Sequence, residues 1–433
     1  MTIFKYSSIA SFLSVSSLYL AVVLNACLAF GFQVILARQL PPSAYGELVT
    51  VLAVITLIAA LSSAGVPGFL LRVFGAEQRQ AVRWLPMTIQ LIVISWLAFT
   101  LMLWAWAIWG PNDDLTQWLF LILSPILLSQ IMIELMNTKF QLEQRYHFLS
   151  LWQFIQNLLR FSVVLVMVIT WSHFTVETAA LALMGVSLIC VFLSLQSLKS
   201  FFQGKLSLYT EGYSSGSEGK IKTVSMRGAA YQSFPFALSG LLYIIYFQSD
   251  IILLKYLDSA MSAGIYNIAF TIMAAVYLFP NVLFQKYLLP NLHRWNAHNK
   301  SKLASTYKLA CSAMFLAGLI TMIFLWLFAP PLIIRAFGSE YQQAILYVNI
   351  LALCVPLRFL SSSVASRLLS HRDMQLKVIC MGGAALLNLV LNFLFIQEYG
   401  ATAAAVTTVL SEGLLLILFL LAVAKQDKTG VEH

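Results

Sequence analysis

The chain has 433 residues, of which 60% are hydrophobic and 10% charged, and its mean hydropathy is +0.84. No soluble domain has that composition, because apolar runs of about 20 residues, enough to cross a bilayer core, recur along the whole length. The formal net charge of +9 would suit a nucleic-acid binder, but its placement between apolar runs argues against one.

Twelve apolar runs are expected, beginning near Ser16, Leu48, Leu85, Leu115, Leu149, Thr178, Ala229, Ala263, Ala304, Ile345, Val378 and Ala401. Those over Ala44–Arg72 and Ala263–Pro290 are long and interrupted by Gly or Pro. Only Lys5 precedes the first run and no small-x-small cleavage site follows it, so it reads as an uncleaved helix rather than a signal peptide. With the N-terminus inside, twenty of the 26 Lys and Arg residues fall in inner segments, while Arg38, Lys255 and Arg335 alone fall in outer loops. This positive-inside bias predicts both termini on the cytoplasmic side of a cytoplasmic membrane and contact with anionic lipids. The five cysteines lie inside apolar runs without paired spacing, so no disulfide or zinc role is expected.

The segment 199–227 is polar and Gly/Ser-rich and reads as a linker. It divides the chain into an N-terminal six-helix half, 1–198, and a C-terminal half, 228–433. The halves read as repeats. The block from Phe32 to Leu40 aligns without gaps on Ser249 to Leu257, pairing Gln33 with Asp250 and Arg38 with Lys255. The next helix opens at Ala44–Tyr45–Gly46 in one half and at Ala263–Gly264–Ile265–Tyr266 in the other, with one extra residue in the second. Six spans per half make the repeat parallel. The expected architecture is therefore an all-α polytopic membrane protein, twelve transmembrane helices in two parallel six-helix halves with a central cavity.

Polar groups inside the spans carry the chemistry, since burying them in lipid is costly. On the fifth span, Gln153, Gln156, Asn157 and Arg160 share one helix face. Arg160 either attracts a phosphate or acidic sugar of the substrate or pairs with a structural carboxylate. Glu134 on the fourth span has Lys139 close by in sequence and is expected to pair with it. The seventh span carries Gln232, Pro235, Ser239, Tyr243, Tyr246 and Asp250 on one face, with Tyr243 and Tyr246 suited to sugar stacking. Asp250 either binds a coupling ion or proton or pairs with Arg38 or Lys255 at an outer gate, and depth favours the pair. Pro280, with Asn281 and Gln285, can kink the eighth span. Arg358 on the tenth either faces a cavity as a substrate ligand or snorkels to headgroups. Asn25, Asn388 and Asn392 are expected to bond between helices. Glu412, deep in the last span, is either a proton-coupling group or the partner of an arginine.

The last two spans read Asn388-x-x-x-Asn392, Tyr399–Gly400–Ala401, an Ala/Thr-rich run and Ser411–Glu412. This pattern, with Asp250–Ile251–Ile252–Leu253…Gly264–Ile265–Tyr266–Asn267 and Arg38–Gln39–Leu40…Tyr45–Gly46, resembles bacterial polysaccharide flippases. These are the Wzx-type lipid-linked oligosaccharide transporters of the multidrug/oligosaccharidyl-lipid/polysaccharide exporter superfamily. The resemblance implies movement of an isoprenoid-diphosphate-linked oligosaccharide between leaflets of a bacterial inner membrane, for O-antigen or exopolysaccharide, driven by an ion gradient. Polysaccharide polymerase machinery is an implied partner and one chain suffices as a monomer. No cofactor is expected, and no phosphate-binding Gly-x-x-x-x-Gly-Lys-Ser/Thr motif is present.

Three rivals remain. A multidrug or metabolite antiporter of the same superfamily would share the fold, but the mid-span Arg160 favours an anionic cargo. A polymerase or ligase would need catalytic residues in a large outer loop, whereas the longest, about Ala329 to Tyr341, holds only Arg335 and Glu340 as charges. A lipid II flippase typically carries further C-terminal helices.

Overall fold

The computed structural model describes residues 22–171, 173–206, 224–282, 300–368 and 371–429. Among them nearly every residue is helical and no strand occurs. Helix α1 is Val22–Gln39. It is followed by α2 Pro42–Ser62, α3 Val66–Glu77, α4 Leu85–Trp109, α5 Asp114–Leu123, α6 Pro125–Leu142, α7 Tyr146–Thr170 and α8 Val176–Phe202. The C-terminal half supplies α9 Met226–Leu257, α10 Ala260–Val282, α11 Lys300–Ala336, α12 Ala344–Leu351, α13 Cys354–Ala365 and α14 His371–Thr429. Most of the expected linker, and Gln285 of the expected kink, lie outside the described residues.

Ten helical runs among the described residues are long and apolar enough to span a membrane. Two of them are composite, and dividing both is what a count of twelve requires. Pro42–Trp109 covers 68 residues, about 100 Å if straight, several times a bilayer core. It breaks at Ser63–Gly65, where Gly65 is left-handed (φ 68°) and Pro67 opens α3, and again at Gln78 (φ 51°), from which the 3-10 turns Gln78–Trp84 lead into α4. A Cβ on Gly65 would overlap the backbone of α9 at Ser233 and Ala237, so glycine is needed both for the turn and for the approach. The second composite run is α14, broken at Gly400 (φ 56°, ψ −141°). Asn388 lies within 3.5 Å of Thr408 across that break. On an unbroken helix the two would stand about 30 Å apart, so the arms fold back as a hairpin. Ala401, Ala404 and Ala405 are buried directly after the turn, as small residues at a close helix contact should be.

The chain forms two compact units. One comprises Met1–Ile35 with Val51–Ile244, and the other Leu36–Thr50 with Ile245–His433. The limits therefore fall inside α1, α2 and α9. In the first unit, α6 packs on α8 and α3, and α7 on α8. In the second, α13 packs on α11 and on α14, and α10 packs on α12. The core around the second arm of α14 includes Tyr246, Val364, Leu368, Ala384, Leu415 and Phe419.

Within the second unit the start of α2 crosses the start of α10. A Cβ on Gly46 would overlap the Ala260 carbonyl, and a Cβ on Gly264 would overlap the Pro42 carbonyl. In the repeat alignment Gly46 corresponds to Gly264 and Pro42 to Ala260, counting the one extra residue. The contact is thus reciprocal, as across a two-fold axis. Asn267 donates to the Tyr45 hydroxyl at 2.7 Å, Tyr45 meets Tyr341 edge-on at 6.0 Å, and Lys255 pairs with Glu47 beside the crossing.

Candidate functional site

The polar groups of the spans sort into three places. The first is on α7. Arg160 is half-buried near the middle of the helix, close to the Cys190 thiol of α8. It has neither an ion pair nor a hydrogen bond among the described residues. One turn earlier Gln156 is 9% exposed, and its Nε2 finds no acceptor. One turn before that, buried Trp152 also has an Nε1–H with no acceptor. Trp152, Gln156 and Arg160 thus form a stripe of donors at four-residue steps. Sequence reasoning missed Trp152, because an indole in an apolar run reads as packing, although its spacing from Gln156 was available. Gln153 lies half-buried beside the stripe, and Asn157 donates to Asn25 of α1 at 2.7 Å.

The second place joins α9, α10, α13 and the second arm of α14. Arg358 Nη1 donates to Glu412 Oε1 at 2.9 Å, with the two side chains 16% and 2% exposed. Rings surround the guanidinium, with centroids at 4.8 Å for Phe247 and 5.6 Å for Tyr246 and Tyr277. Faces of aromatic rings attract a cation, the more so where water is excluded. Glu412 Oε2 is buried and takes no hydrogen bond among the described residues. The buried Tyr246 hydroxyl is turned toward Glu412 without reaching ordinary hydrogen-bond geometry. Of the two readings of Glu412, the arginine partner is present. Arg358 packs among rings rather than extending to a headgroup. Tyr243, about one turn before Tyr246, is exposed.

The third place surrounds Asp250, 5% exposed on α9. Its Oδ2 accepts from the Tyr266 hydroxyl at 2.7 Å and from Thr408 at 2.8 Å, and its Oδ1 accepts from Asn392 at 2.6 Å. Asn392 also donates to Asn388 at 3.1 Å, and Ser249 donates to Asn388 at 3.3 Å. The cross-helix bonds expected of Asn25, Asn388 and Asn392 are therefore all found. A carboxylate with three donors needs no cation beside it to be tolerated in a buried place.

Two expected pairs are corrected. Asp250 pairs with neither Arg38 nor Lys255. Lys255 is held by Glu47 of α2, and Arg38 donates to the Arg335 carbonyl at 2.8 Å, at the C-terminal turn of α11. Five residues along a helix turn a side chain by about 140°, so Lys255 leaves the face of Asp250. The same arithmetic separates Glu134 from Lys139. Glu134 lies beside Ser63 instead, and Lys139 donates to the Ser197 carbonyl at 3.0 Å and hydroxyl at 2.7 Å on α8.

A family model for polysaccharide biosynthesis proteins matches residues 13–296, and a second, MatE, matches residues 235–394. No curated protein sequence matches the chain significantly. Among solved structures, the chain is similar to the lipid II flippase MurJ in an inward closed conformation, at TM-score 0.74 and 14% identity, covering 94% of this chain and 87% of that one. It is also similar to an inward-facing multidrug resistance transporter of the MATE family, at TM-score 0.67 and 13% identity, covering 93% and 94%. A transporter from Pyrococcus furiosus described by the reverse polarity of its binding pocket matches at TM-score 0.57 and 14% identity, covering 95% and 94%. At these identities the likeness is one of fold.

Proposed function

Because the chain belongs to the polysaccharide biosynthesis protein family, within the multidrug/oligosaccharidyl-lipid/polysaccharide exporter superfamily, we propose that it flips an isoprenoid-diphosphate-linked oligosaccharide from the cytoplasmic to the outer leaflet. The observation that carries this reading is the donor stripe of α7. Arg160 offers a permanent positive charge within a span, with no carboxylate partner among the described residues, and Gln156 and Trp152 add donors without acceptors. Such a stripe suits an anionic, oxygen-rich cargo and repels a cationic drug. Gln153 and Asn157 extend its polar edge, and Arg358, Tyr243 and Tyr246 are candidate contacts from the C-terminal half. The diphosphate and sugars would pass through the protein while the isoprenoid stays in lipid. Opening would alternate between the two sides, with Arg38 and Lys255 at the gate and Asp250 and Glu412 as the carboxylates through which an ion gradient acts. The distribution of Lys and Arg supports cytoplasmic termini in an inner membrane. A polymerase acting on the flipped repeat is the expected partner, and one chain suffices.

The MatE match over residues 235–394 favours a second reading, a multidrug or metabolite antiporter. Deleting the gene and complementing with wild type or Arg160→Ala separates the two. A flippase predicts lost surface glycan, lipid-linked repeat units left facing the cytoplasm, and no rescue by the variant. Normal surface glycan with altered drug or metabolite export would overturn it in favour of the antiporter.

A further inference from the structure

The carboxylates within the spans differ in what meets them. Asp250 accepts three hydrogen bonds and Glu412 holds Arg358. Glu134, on α6, has no cation partner among the described residues. Ser63 lies beside it but donates to the Ala60 carbonyl at 3.0 Å, so that hydroxyl has its proton committed elsewhere. Asn137, three residues on along the same face of α6, has a buried Oδ1 that takes no hydrogen bond among the described residues. Glu134 itself is exposed, although it lies inside the span Asp114–Leu142. A carboxylate placed there faces water, since facing lipid is costly.

Two helix interruptions meet beside Glu134, and all the residues involved belong to the first compact unit. Helix α2 ends at Ser62, and the Gly65 backbone just after it lies against α9 at Ser233 and Ala237. At the first interruption Val66 donates to the Ser63 carbonyl and Pro67 has no N–H, so the Ser62 carbonyl receives no backbone N–H. At the second, Pro235 removes the ordinary donor of the Tyr231 carbonyl, one turn earlier on α9. Ser63 also stands past the C-terminus of α2, where the carbonyls of the last turn leave a partial negative charge. A second negative group is disfavoured at such a place unless a cation joins it. Yet α6 is held there, because Gln130, one turn before Glu134, donates to Thr56 of α2 at 3.2 Å.

We propose that Glu134, together with the Ser62 and Tyr231 carbonyls and the Asn137 amide oxygen, binds a hard monovalent cation where the break after α2 meets the kink of α9. Oxygen acceptors gathered without donors fit such an ion. One carboxylate among neutral oxygens balances a single charge, whereas divalent-ion loops draw on several carboxylates. Carbonyls released at interrupted membrane helices are suited to holding an alkali ion. The site does not depend on the cargo, and it stands for an antiporter as well as for a flippase.

The test uses the full chain in lipid nanodiscs and radioactive Na⁺ as probe, with ionic strength held constant by choline chloride. Wild type is expected to bind the label saturably, with unlabelled Na⁺ displacing it and choline not. Glu134→Gln keeps the shape and removes the charge, and is expected to weaken binding at least about tenfold. Pro235→Ala returns an N–H to the Tyr231 carbonyl and is expected to weaken binding by about two- to fivefold while leaving α9 better bonded. A merely structural role for Glu134 would not move that second readout. No saturable, choline-resistant binding by wild type overturns the site, a result that needs no variant to fold. The flippase reading would then still be decided by the surface-glycan phenotype alone. Binding undiminished in either variant overturns the site as well.

Discussion

Arg160 and Arg358 each lie near the middle of a span, and their surroundings differ. Arg358 is neutralised, with Glu412 on its edge and three rings around it. Arg160 has no carboxylate among the described residues and stands in line with two other unsatisfied donors. The first arrangement protects the fold from a buried charge. The second leaves the charge for something else to meet. The same side chain thus meets a carboxylate in one place and none among the described residues in the other, which is why the proposed binding role falls first on Arg160.

The comparison breaks first at Glu412. Glu412→Ala is expected to cost about 3–5 kcal/mol in detergent unfolding, because it orphans Arg358, and the double variant Arg358→Met, Glu412→Leu should recover most of the loss. A single variant as stable as wild type would mean that the pair carries no structural load. Arg160→Ala should do the opposite, changing stability by less than about 1 kcal/mol. Its binding of farnesyl diphosphate should nonetheless fall by about ten- to a hundredfold, the worth of charge-assisted bonds. Phe247→Leu sharpens the contrast, since losing one ring from the cage should lower stability by about 0.5–2 kcal/mol. Probe binding through Arg160 should survive that change, and titration of both variants side by side would check it. The smallest effect is expected of Asn157→Ala, which removes the bond to Asn25. A membrane hydrogen bond averages about 0.6 kcal/mol, or less than about threefold in affinity if all of it reached the binding site.

Much of this molecule was legible in its sequence, for physical reasons. Bilayer thickness fixes helix length, so the spans follow from hydropathy, and the α14 hairpin follows from Gly400 and the alanines after it. The Gln153–Arg160 face follows from helical spacing. What the sequence concealed are the partners. Arg358 and Glu412 meet across 54 residues, and Glu47 meets Lys255 across 208. No local pattern encodes either distance. Shared depth misled at Asp250–Lys255 and proximity along the chain at Glu134–Lys139, because five residues on a helix point side chains apart. Trp152 was hidden differently, since whether an indole N–H finds an acceptor depends on the neighbouring helix.

The crossing of α2 and α10 has a mechanical meaning. Helices whose side chains interdigitate are held at one angle by their ridges and grooves. Gly46 and Gly264 bring backbone against backbone, with no ridge on either side at the point of contact. Such a point is a smooth bearing, about which two rods can swivel without withdrawing a single tooth. Fasteners stand beside it rather than in it, among them the bond from Asn267 to Tyr45 and the ion pair of Glu47 with Lys255. Releasing such contacts would loosen the rods while leaving the bearing in place.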